Sequence, residues 1–350
     1  MKFDLKNKAY FLAQIENLVT YQELDFGRVL FLPPKEGKDL LYKVVNTFNS
    51  KSHGGYIYPE SLENIIKYPI AVTGIEIRKD IGHWHCLGAE NEQALNRIEQ
   101  ACSILRFLLY RDVTEGICDY FGISGTFLSL NNQQGAWFRN DIDPIPSLLL
   151  EGRQNPCVIF SQYMVSWKRD QRFRRLLSMF NEKEKTEISR KVILSLHWLS
   201  RALKESSANI KFANLVIGME SLLSSRDDQT FGSINKNLSE RVAVLVGKNL
   251  KPKDRLDIYE AMREYYGKRS TTLHGCKVKS RRGKAKSQIT EEDIRKVGEF
   301  LVESILTILE IPEIKKFEDV IKMVNGCKFS FEWNAVTKKF VYAIISEKNS

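Results

Sequence analysis

The feature that most constrains the fold of this chain is a helical period of apolar residues throughout its second half. Segments of this kind begin after about position 170, and a clear one is "ITEEDIRKVGEFLVESILTILE". Its apolar stripe comprises Ile294, Val297, Leu301, Ile305 and Ile308. Thr290 precedes this stripe and Asp293 follows three residues later, a pattern typical of a capped helix start. The second half is therefore predicted to be a helical bundle.

Breaker residues divide this half into separate helices. "EISRKVILSLHWLSRALKE", "ANIKFANLVIGMESLLSS" and "SINKNLSERVAVLVG" are predicted helices. The second of them has Leu215, Met219, Leu222 and Leu223 on one face. Gly247 stands where a C′ glycine ends a helix, and Pro252 starts the next one. We place the bundle at residues 166–325. The tail "CKFSFEWNAVTKKFVYAII" alternates around a turn, which predicts a β-hairpin within 326–350.

The first half has a mixed pattern. "NKAYFLAQIENL" is predicted to be a short helix, "GRVLFLP" a strand and "KDLLYKVVNTF" a helix. "PIAVTGIEIR" and "GHWHCLG" are predicted strands, and "ENEQALNRIEQACSILRFLLY" is a long helix. Residues 120–165 are rich in Gly, Asn, Gln and Pro, which indicates strands and loops before a boundary. The chain is therefore predicted to be α+β, with a mixed domain over residues 1–165 ahead of the bundle.

The charge balance indicates an anionic partner. The net charge is +10 and the pI about 9.1, which favours nucleic acid or an anionic membrane surface. The six cysteines are scattered without a CxxC pair, a usage typical of reduced thiols. The N-terminus lacks the apolar core of a signal peptide, and the longest uncharged runs are too polar to cross a bilayer. We expect a soluble, cytoplasmic protein with no membrane partner.

The sequence contains one possible metal-binding cluster. On a strand, His83 and His85 would share a face while Cys86 points away, and no partner pair is evident nearby. A structural role for all three is therefore favoured over metal binding. The chain has no Walker or Rossmann phosphate loop and no nucleophile-elbow serine. We expect neither a metal nor a cofactor.

A candidate site lies in "YYGKRSTTLHG", residues 265–275, near the end of a predicted helix. The apolar seam of that helix consists of Tyr259, Met262, Tyr266 and Leu273. The seam has no apolar residue between Tyr266 and Leu273, where Arg269 occupies the expected position. Burying an arginine costs free energy unless an anion lies against it. His274 follows at the last helical position, where the helix dipole favours its protonated form. Residues five apart on a helix differ by about 140° in rotation about its axis, so Arg269 and His274 do not lie on the same face. A second copy of the helix would let both pairs face one cleft.

Two interpretations of Arg269 and His274 remain open from periodicity alone. The arginine could meet the phosphate of a ligand. Alternatively, it could pair with a buried acid such as Glu220, in which case His274 would only end the helix.

A basic segment follows immediately and favours the first interpretation. "KVKSRRGKAK" contains no acid and contributes Lys277, Lys279, Arg281, Arg282, Lys284 and Lys286. Such a run is typical of phosphate contacts, although a solvated loop is the commoner outcome. Tyr265 is a candidate for stacking on a base. A second basic stretch, "SWKRDQRFRRLL" at 166–177, could extend an RNA track or form a solvated interdomain helix.

The motif "RSTTLHG" and its neighbours resemble a known family. Arg269 and His274 match the R-x4-H form of the motif found in the HEPN domain family. The surrounding pattern resembles the ApeA-like branch of that family in particular. That pattern is "LVIGMESLL", "LSERVAVLVG", "IYEAMREYYGKRSTTLHG" and a last long helix. The resemblance covers about residues 185–312.

The resemblance implies a helical bundle that dimerises and brings two such motifs into one cleft. Active members of the family are metal-independent endoribonucleases, often toxins or anti-phage effectors. Arg269 would then stabilise the transition-state charge, His274 would transfer protons, and the 2′-hydroxyl of RNA would be the nucleophile. Ser270 stands where many active members have Asn, Asp or His, and its hydroxyl can still form a hydrogen bond. Other members are not catalytic and only bind RNA or dimerise, which is the alternative function.

Overall fold

The computed structural model describes residues 8–51, 68–76, 86–112, 121–131, 135–139, 157–225, 228, 234–274 and 289–328. The chain divides into two compact units, Met1–Leu177 and Ser178–Ser350. The first is built around an antiparallel sheet and the second is mostly helical, so the α+β class is confirmed. Within the described ranges, no helix combines the length and the apolar character needed to span a bilayer.

The first unit contains eight described strands. They are β1 Lys8–Glu16, β2 Leu18–Thr20, β3 Leu24–Asp25, β4 Val29–Leu32, β5 Ile70–Glu76, β6 Gly122–Asn131, β7 Gly135–Arg139 and β8 Cys157–Ile159. Six of them form a sheet in the order β3-β4-β5-β1-β6-β7, with every neighbouring pair antiparallel. β2 and β8 form a separate parallel pair. Helices α1 (Pro34–Lys51) and α2 (Cys86–Asp112) follow β4 and β5 in the chain, and α2 packs against the sheet.

The predicted helix at "NKAYFLAQIENL" is wrong, because this segment forms the strand β1. It pairs with β5 on one side and β6 on the other, and its successive residues Tyr10–Ala13 are all buried. A strand covered on both faces gives a continuous apolar run, which periodicity cannot separate from a short buried helix. "GHWHCLG" is corrected in part, since residues 86–88 begin α2. The strands at β4 and β5 and the helices at α1 and α2 are confirmed.

Two helices close the first unit, namely α3 (Ser161–Arg169) and the larger part of α4 (Gln171–Asn181). The division therefore falls beyond the predicted boundary near 165. Trp167 is fully buried, and its Nε1–H donates to Asp112. The ring of Phe173 lies edge-on to that of Phe26 at a centroid distance of 6.1 Å. These aromatic side chains attach the basic stretch 166–177 to the sheet domain.

The second unit contains α5 (Glu187–Lys204), α6 (Ala208–Leu223), α7 (Ile234–Val246), α8 (Pro252–His274), α9 (Glu291–Leu309) and α10 (Phe317–Lys328). α6 lies at the centre of the bundle and contacts α5, α7, α8 and α9. Gly218 lies at this close approach, since an added Cβ would lie 2.9 Å from the terminal Cδ2 of Leu301, which would have to shift. The predicted hairpin lies outside the described residues, except that its first two residues, Cys327 and Lys328, end α10.

The helix boundaries in this unit follow the predicted signals. Thr290 and Asp293 form the reciprocal capping box of α9, and the apolar stripe of that helix is buried. α8 begins at Pro252 and ends at His274 as predicted. α7 ends just before Gly247, although this glycine does not adopt a left-handed conformation. Glycine is needed there because a Cβ would lie 2.5 Å from the Ala243 carbonyl oxygen.

Candidate functional site at the end of helix α8

Arg269 lies on the inward face of α8. Ile258, Met262 and Tyr265 are buried at intervals of four and three residues, and Arg269 follows four residues later on the same row. Its side chain is 19% exposed. Met262 is buried as predicted, whereas the predicted seam residues Tyr259 and Tyr266 are only half-buried. Their neighbours Ile258 and Tyr265 occupy the core instead. The expectation that an arginine continues the inward row is confirmed.

An acid on the central helix meets this arginine. Glu220 of α6 places a carboxylate oxygen 2.9 Å from Nη2 of Arg269, and its side chain is 18% exposed. The same carboxylate accepts a hydrogen bond from the hydroxyl of Tyr266. Burial and the charge of Glu220 together raise the pKa of Tyr266 to about 12. The three side chains form one cluster between α6 and α8. Glu220 is the acid that the sequence analysis suggested as a structural partner of Arg269.

The guanidinium of Arg269 is nevertheless incompletely bonded. Its Nε is buried and has no hydrogen-bond partner among the described residues. Arg241 of α7 differs, because its two Nη atoms donate to both oxygens of Asp228 and to the Leu223 carbonyl at 2.6 to 2.7 Å. A buried donor without a partner costs free energy, so it requires either an explanation or a ligand. Nε of Arg269 is therefore a buried donor that no described group satisfies.

Lys268 joins the end of α8 to the start of α9. Its Nζ lies 2.9 Å from Glu264 in the preceding turn and 3.0 Å from Asp293 in the capping box. Burial alone would raise the pKa of Asp293, but contacts from the Thr290 N–H and from Lys268 outweigh burial and lower it. The two helix ends that flank the basic segment 277–286 are thus held together.

The predicted site residues divide into described and undescribed groups. Ser270 is half-buried on α8 between Arg269 and His274. His274 is placed by its backbone as the last residue of α8, whereas its side chain lies outside the description. The basic residues Lys277, Lys279, Arg281, Arg282 and Lys284 also lie outside the described residues, as do His83 and His85. Within the described part of the chain, no group of three His, Cys, Asp or Glu residues could hold a metal ion.

The expectation that Tyr265 stacks on a base is corrected. This side chain is 5% exposed, and its ring packs edge-on to Phe212 at a centroid distance of 5.8 Å. A base has no access to a ring face in that position.

Two contributors were missed in the sequence, namely Tyr266 as a partner of Glu220 and Lys268 as a link to α9. The spacing of four between Glu264 and Lys268 is a signal that could have indicated the second.

Comparison with known proteins gives no relative: no family model matches the chain, and no curated protein or solved structure matches it significantly.

Proposed function

We propose that the protein is a metal-independent endoribonuclease of the HEPN type that acts through Arg269 and His274 at the end of α8. The observation that carries the proposal is the partly exposed guanidinium of Arg269, which Glu220 holds in place while Nε keeps an unused donor. Arginine suits phosphate because its planar group offers several N–H donors in a fixed arrangement. The basic segment 277–286 follows directly and supplies further phosphate contacts.

The proposed reaction is the one that the family resemblance implies. The 2′-hydroxyl of a ribose gives its proton to solvent water as its oxygen attacks the adjacent phosphorus, and the bond from phosphorus to the 5′-oxygen breaks; His274 later regains from solvent the proton that it donates. Arg269 stabilises the negative charge that develops on the phosphoryl oxygens. His274, at the negative end of the α8 dipole, is favoured as imidazolium and donates a proton to the departing 5′-oxygen. The products are a 2′,3′-cyclic phosphate and a 5′-hydroxyl, and no oxidation or metal is required.

Glu220 and Ser270 support this chemistry without touching the reacting atoms. Glu220 orients Arg269 through one edge of the guanidinium, and Tyr266 in turn fixes the carboxylate. Ser270 offers a hydroxyl on the turn that links Arg269 to His274. Orientation of this kind matters because a guanidinium aligned in advance needs no reorganisation in the transition state.

The family resemblance supplies the remaining parts of the proposal. The enzyme acts as a homodimer through the bundle, with two copies of α8 contributing to one cleft. It serves in the bacterial cytoplasm as an anti-phage effector or a toxin. The sheet domain, Met1–Leu177, senses the activating signal. Deletion of that domain with no change in regulation would refute the sensing role.

The test is cleavage of a labelled, mixed RNA pool in the presence of EDTA. We expect His274→Ala to slow cleavage by about 10²–10⁴-fold, the usual contribution of a general acid. Arg269→Lys keeps the charge but removes the planar guanidinium with its fixed set of N–H donors. We expect it to slow cleavage by about 10²–10³-fold. Exposed residues provide matched controls, namely His197→Ala on α5 and Arg263→Ala on α8, which should both cleave like wild type.

Two results would contradict the proposal. Cleavage by wild type and by His274→Ala at equal rates would show that this motif is not the site. Products with 3′-phosphate ends but no cyclic precursor at early times would exclude attack by the 2′-hydroxyl.

A non-catalytic RNA-binding or dimerisation module is the second candidate, and the ion pair between Arg269 and Glu220 favours it. In that case Arg269→Ala should lower the melting temperature or the dimer affinity. RNA binding would persist, and no RNA would be cleaved by any form of the protein.

A further inference from the structure

A second basic surface lies at the junction of α3 and α4 in the first unit, far from α8 in sequence. α3 ends at Arg169, α4 begins at Gln171, and Asp170 stands between them in an extended conformation with φ −70° and ψ 119°. The Asp170 N–H donates to the carbonyls of Ser166 and Trp167 at the end of α3. Its Oδ1 accepts the backbone N–H of Arg172 at 2.8 Å in the first turn of α4. One residue therefore caps both helices and fixes the angle between them.

The aromatic residues of this junction determine which sides face outward. Trp167 and Phe173 are buried against the sheet domain, so the opposite sides of both helices meet solvent. The exposed residues from Gln162 to Arg174 are Gln162, Val165, Ser166, Lys168, Arg169, Gln171 and Arg174. No carboxylate occurs among them.

The one acid in this region is fully engaged within the junction. Asp170 is the only Asp or Glu between positions 160 and 181. Its carboxylate accepts from Arg111 of α2 at 2.8 Å and from Arg172 at 3.2 Å. Burial would raise the pKa of Asp170, but the bonds from these two arginines outweigh burial and lower it. The acid therefore stays ionised and does not neutralise the outward cations.

Lys168, Arg169 and Arg174 are left without counter-charges. None of the carboxylates in the described ranges lies within ion-pair distance of these three side chains. The exposed face of α9 has the opposite arrangement, because Arg295 and Lys296 are both paired with neighbouring acids of that helix. Cations on a purely solvated helix face are commonly interspersed with acids in this way. The outward face of the α3–α4 junction thus presents cations with no exposed acid among its described residues, an arrangement suited to an anionic ligand.

Two exposed apolar side chains belong to the same helix as Lys168 and Arg169, one of them at its N-cap. Phe160, at the start of α3, is 51% exposed, and Val165 on the same helix is 50% exposed. The ring of Phe160 meets that of Tyr163 at a centroid distance of 6.1 Å, and Tyr163 stacks on the buried Trp167. An exposed aromatic ring packed on Tyr163 at one end of α3, with exposed cations at the other end, suits a single strand that offers both bases and phosphates.

We infer that the α3–α4 junction binds single-stranded RNA through phosphate contacts from Lys168, Arg169 and Arg174, with Phe160 available to stack on a base. This inference rests on the proposed function in taking RNA as the substrate. It gives the sheet domain a role besides the proposed sensing, namely binding of single-stranded RNA. No base-specific contact is implied, since every nucleotide has a phosphate and a stacking face.

The test measures binding of a short labelled single-stranded RNA by fluorescence anisotropy over a range of salt concentrations. All proteins carry His274→Ala so that the RNA stays intact. The test variant carries Lys168→Glu, Arg169→Glu and Arg174→Glu. The control variant carries Arg190→Glu, Lys251→Glu and Lys253→Glu, three exposed cations of the second unit. Each triple change removes six charges from +10 and leaves +4, so the long-range attraction is matched.

We expect the test variant to bind about 10- to 100-fold more weakly than the control. Its plot of log affinity against log salt should be shallower by about 2, because each phosphate contact on a single strand contributes about 0.7 to the slope. Glutamates in the last turn of α3 oppose the helix dipole. A Gln triple variant at the same three positions therefore accompanies the test variant and should show the same direction of change with an unaltered melting temperature.

Equal affinities of the test and control variants would overturn the inference, whether or not the wild-type protein cleaves RNA. Loss of binding to phosphatidylserine vesicles but not to RNA would also overturn it, in favour of an anionic membrane surface. Conversely, a wild-type protein that binds RNA through this junction and never cleaves it would support the inference while the proposed function fails.

Discussion

The role of Arg269 can be measured by comparing its ion pair with another pair in the same bundle. The perturbation is a double-mutant cycle on Arg269 and Glu220, using Arg269→Ala, Glu220→Ala and the double variant. A second cycle on Arg241 and Asp228 serves as the internal reference. A structural arginine should couple strongly to its acid. An arginine that keeps donor capacity for a ligand should couple weakly.

The magnitudes follow from the two geometries. Arg241 and Asp228 form two hydrogen bonds at 2.6 and 2.7 Å, and their side chains are 9% and 4% exposed. Breaking a buried, hydrogen-bonded pair of this kind costs about 3–5 kcal/mol, so we expect a coupling of about 3 kcal/mol. In the pair of Arg269 and Glu220, Nη2 lies 2.9 Å from the carboxylate, Nε has no partner among the described residues, and both side chains are at least twice as exposed. Solvent screening and the single contact reduce the expected coupling to about 1 kcal/mol.

The assay is urea denaturation followed by far-ultraviolet circular dichroism, which gives the free energy of unfolding of each variant. The coupling energy is the change in the double variant minus the sum of the changes in the two single variants. If Arg269 and Glu220 couple as strongly as Arg241 and Asp228, Arg269 is a structural arginine. In that case, the reasoning that assigns it to phosphate is refuted.

Two further predictions concern packing and pH. Gly247→Ala should lower the free energy of unfolding by about 1–3 kcal/mol, because the new Cβ would lie 2.5 Å from the Ala243 carbonyl oxygen. The control is Gly267→Ala, where the new Cβ meets no atom within 4 Å. It should raise the free energy of unfolding by about 0.5–1 kcal/mol in the same urea titration. Burial acts to raise the pKa of Asp228, but hydrogen bonds led by that from Arg241 outweigh it, and the pKa lies below its ordinary 3.8. The resulting stability is present above pH 3.8 and is lost as pH falls through the folded-state pKa. Asp228→Asn should therefore be less stable than wild type near neutral pH. The gap between their free energies of unfolding should narrow below about pH 4. A gap that stays constant down to pH 2 would contradict this account.

The bundle could be predicted from the sequence because its local signals and its packing agree. The capping box at Thr290 and Asp293, the stripe of α9 and the start of α8 at Pro252 each depend on a few neighbouring residues. The inward position of Arg269 followed from the same helical period. The pairing with Glu220 could be suggested, because both residues lie on predicted helices and opposite charges attract across an interface.

The errors arose where tertiary burial overrides the local pattern. β1 is covered on both faces, so its side chains do not alternate and the strand resembles a buried helix. On α8 a shift of one residue exchanges the roles of Tyr265 and Tyr266, since both neighbours are aromatic and only the packing against Phe212 selects the first. The anchoring of Trp167 to Asp112 joins segments far apart in the sequence, which no local pattern reports.

The net charge of this protein is concentrated in two segments. The segments 166–177 and 277–286 together hold eleven of the 53 basic residues and one of the 43 acidic residues. The rest of the chain therefore contains 42 of each and is balanced. Acids elsewhere pair with structural cations, as Asp228 does with Arg241 and Asp293 with Lys268. A positive balance confined to two short segments is what a polyanion with two points of attachment would require. The segment 277–286 follows His274 in the sequence, and the segment 166–177 forms the junction of α3 and α4. Under the proposed function, each segment would contribute its own phosphate contacts to the RNA.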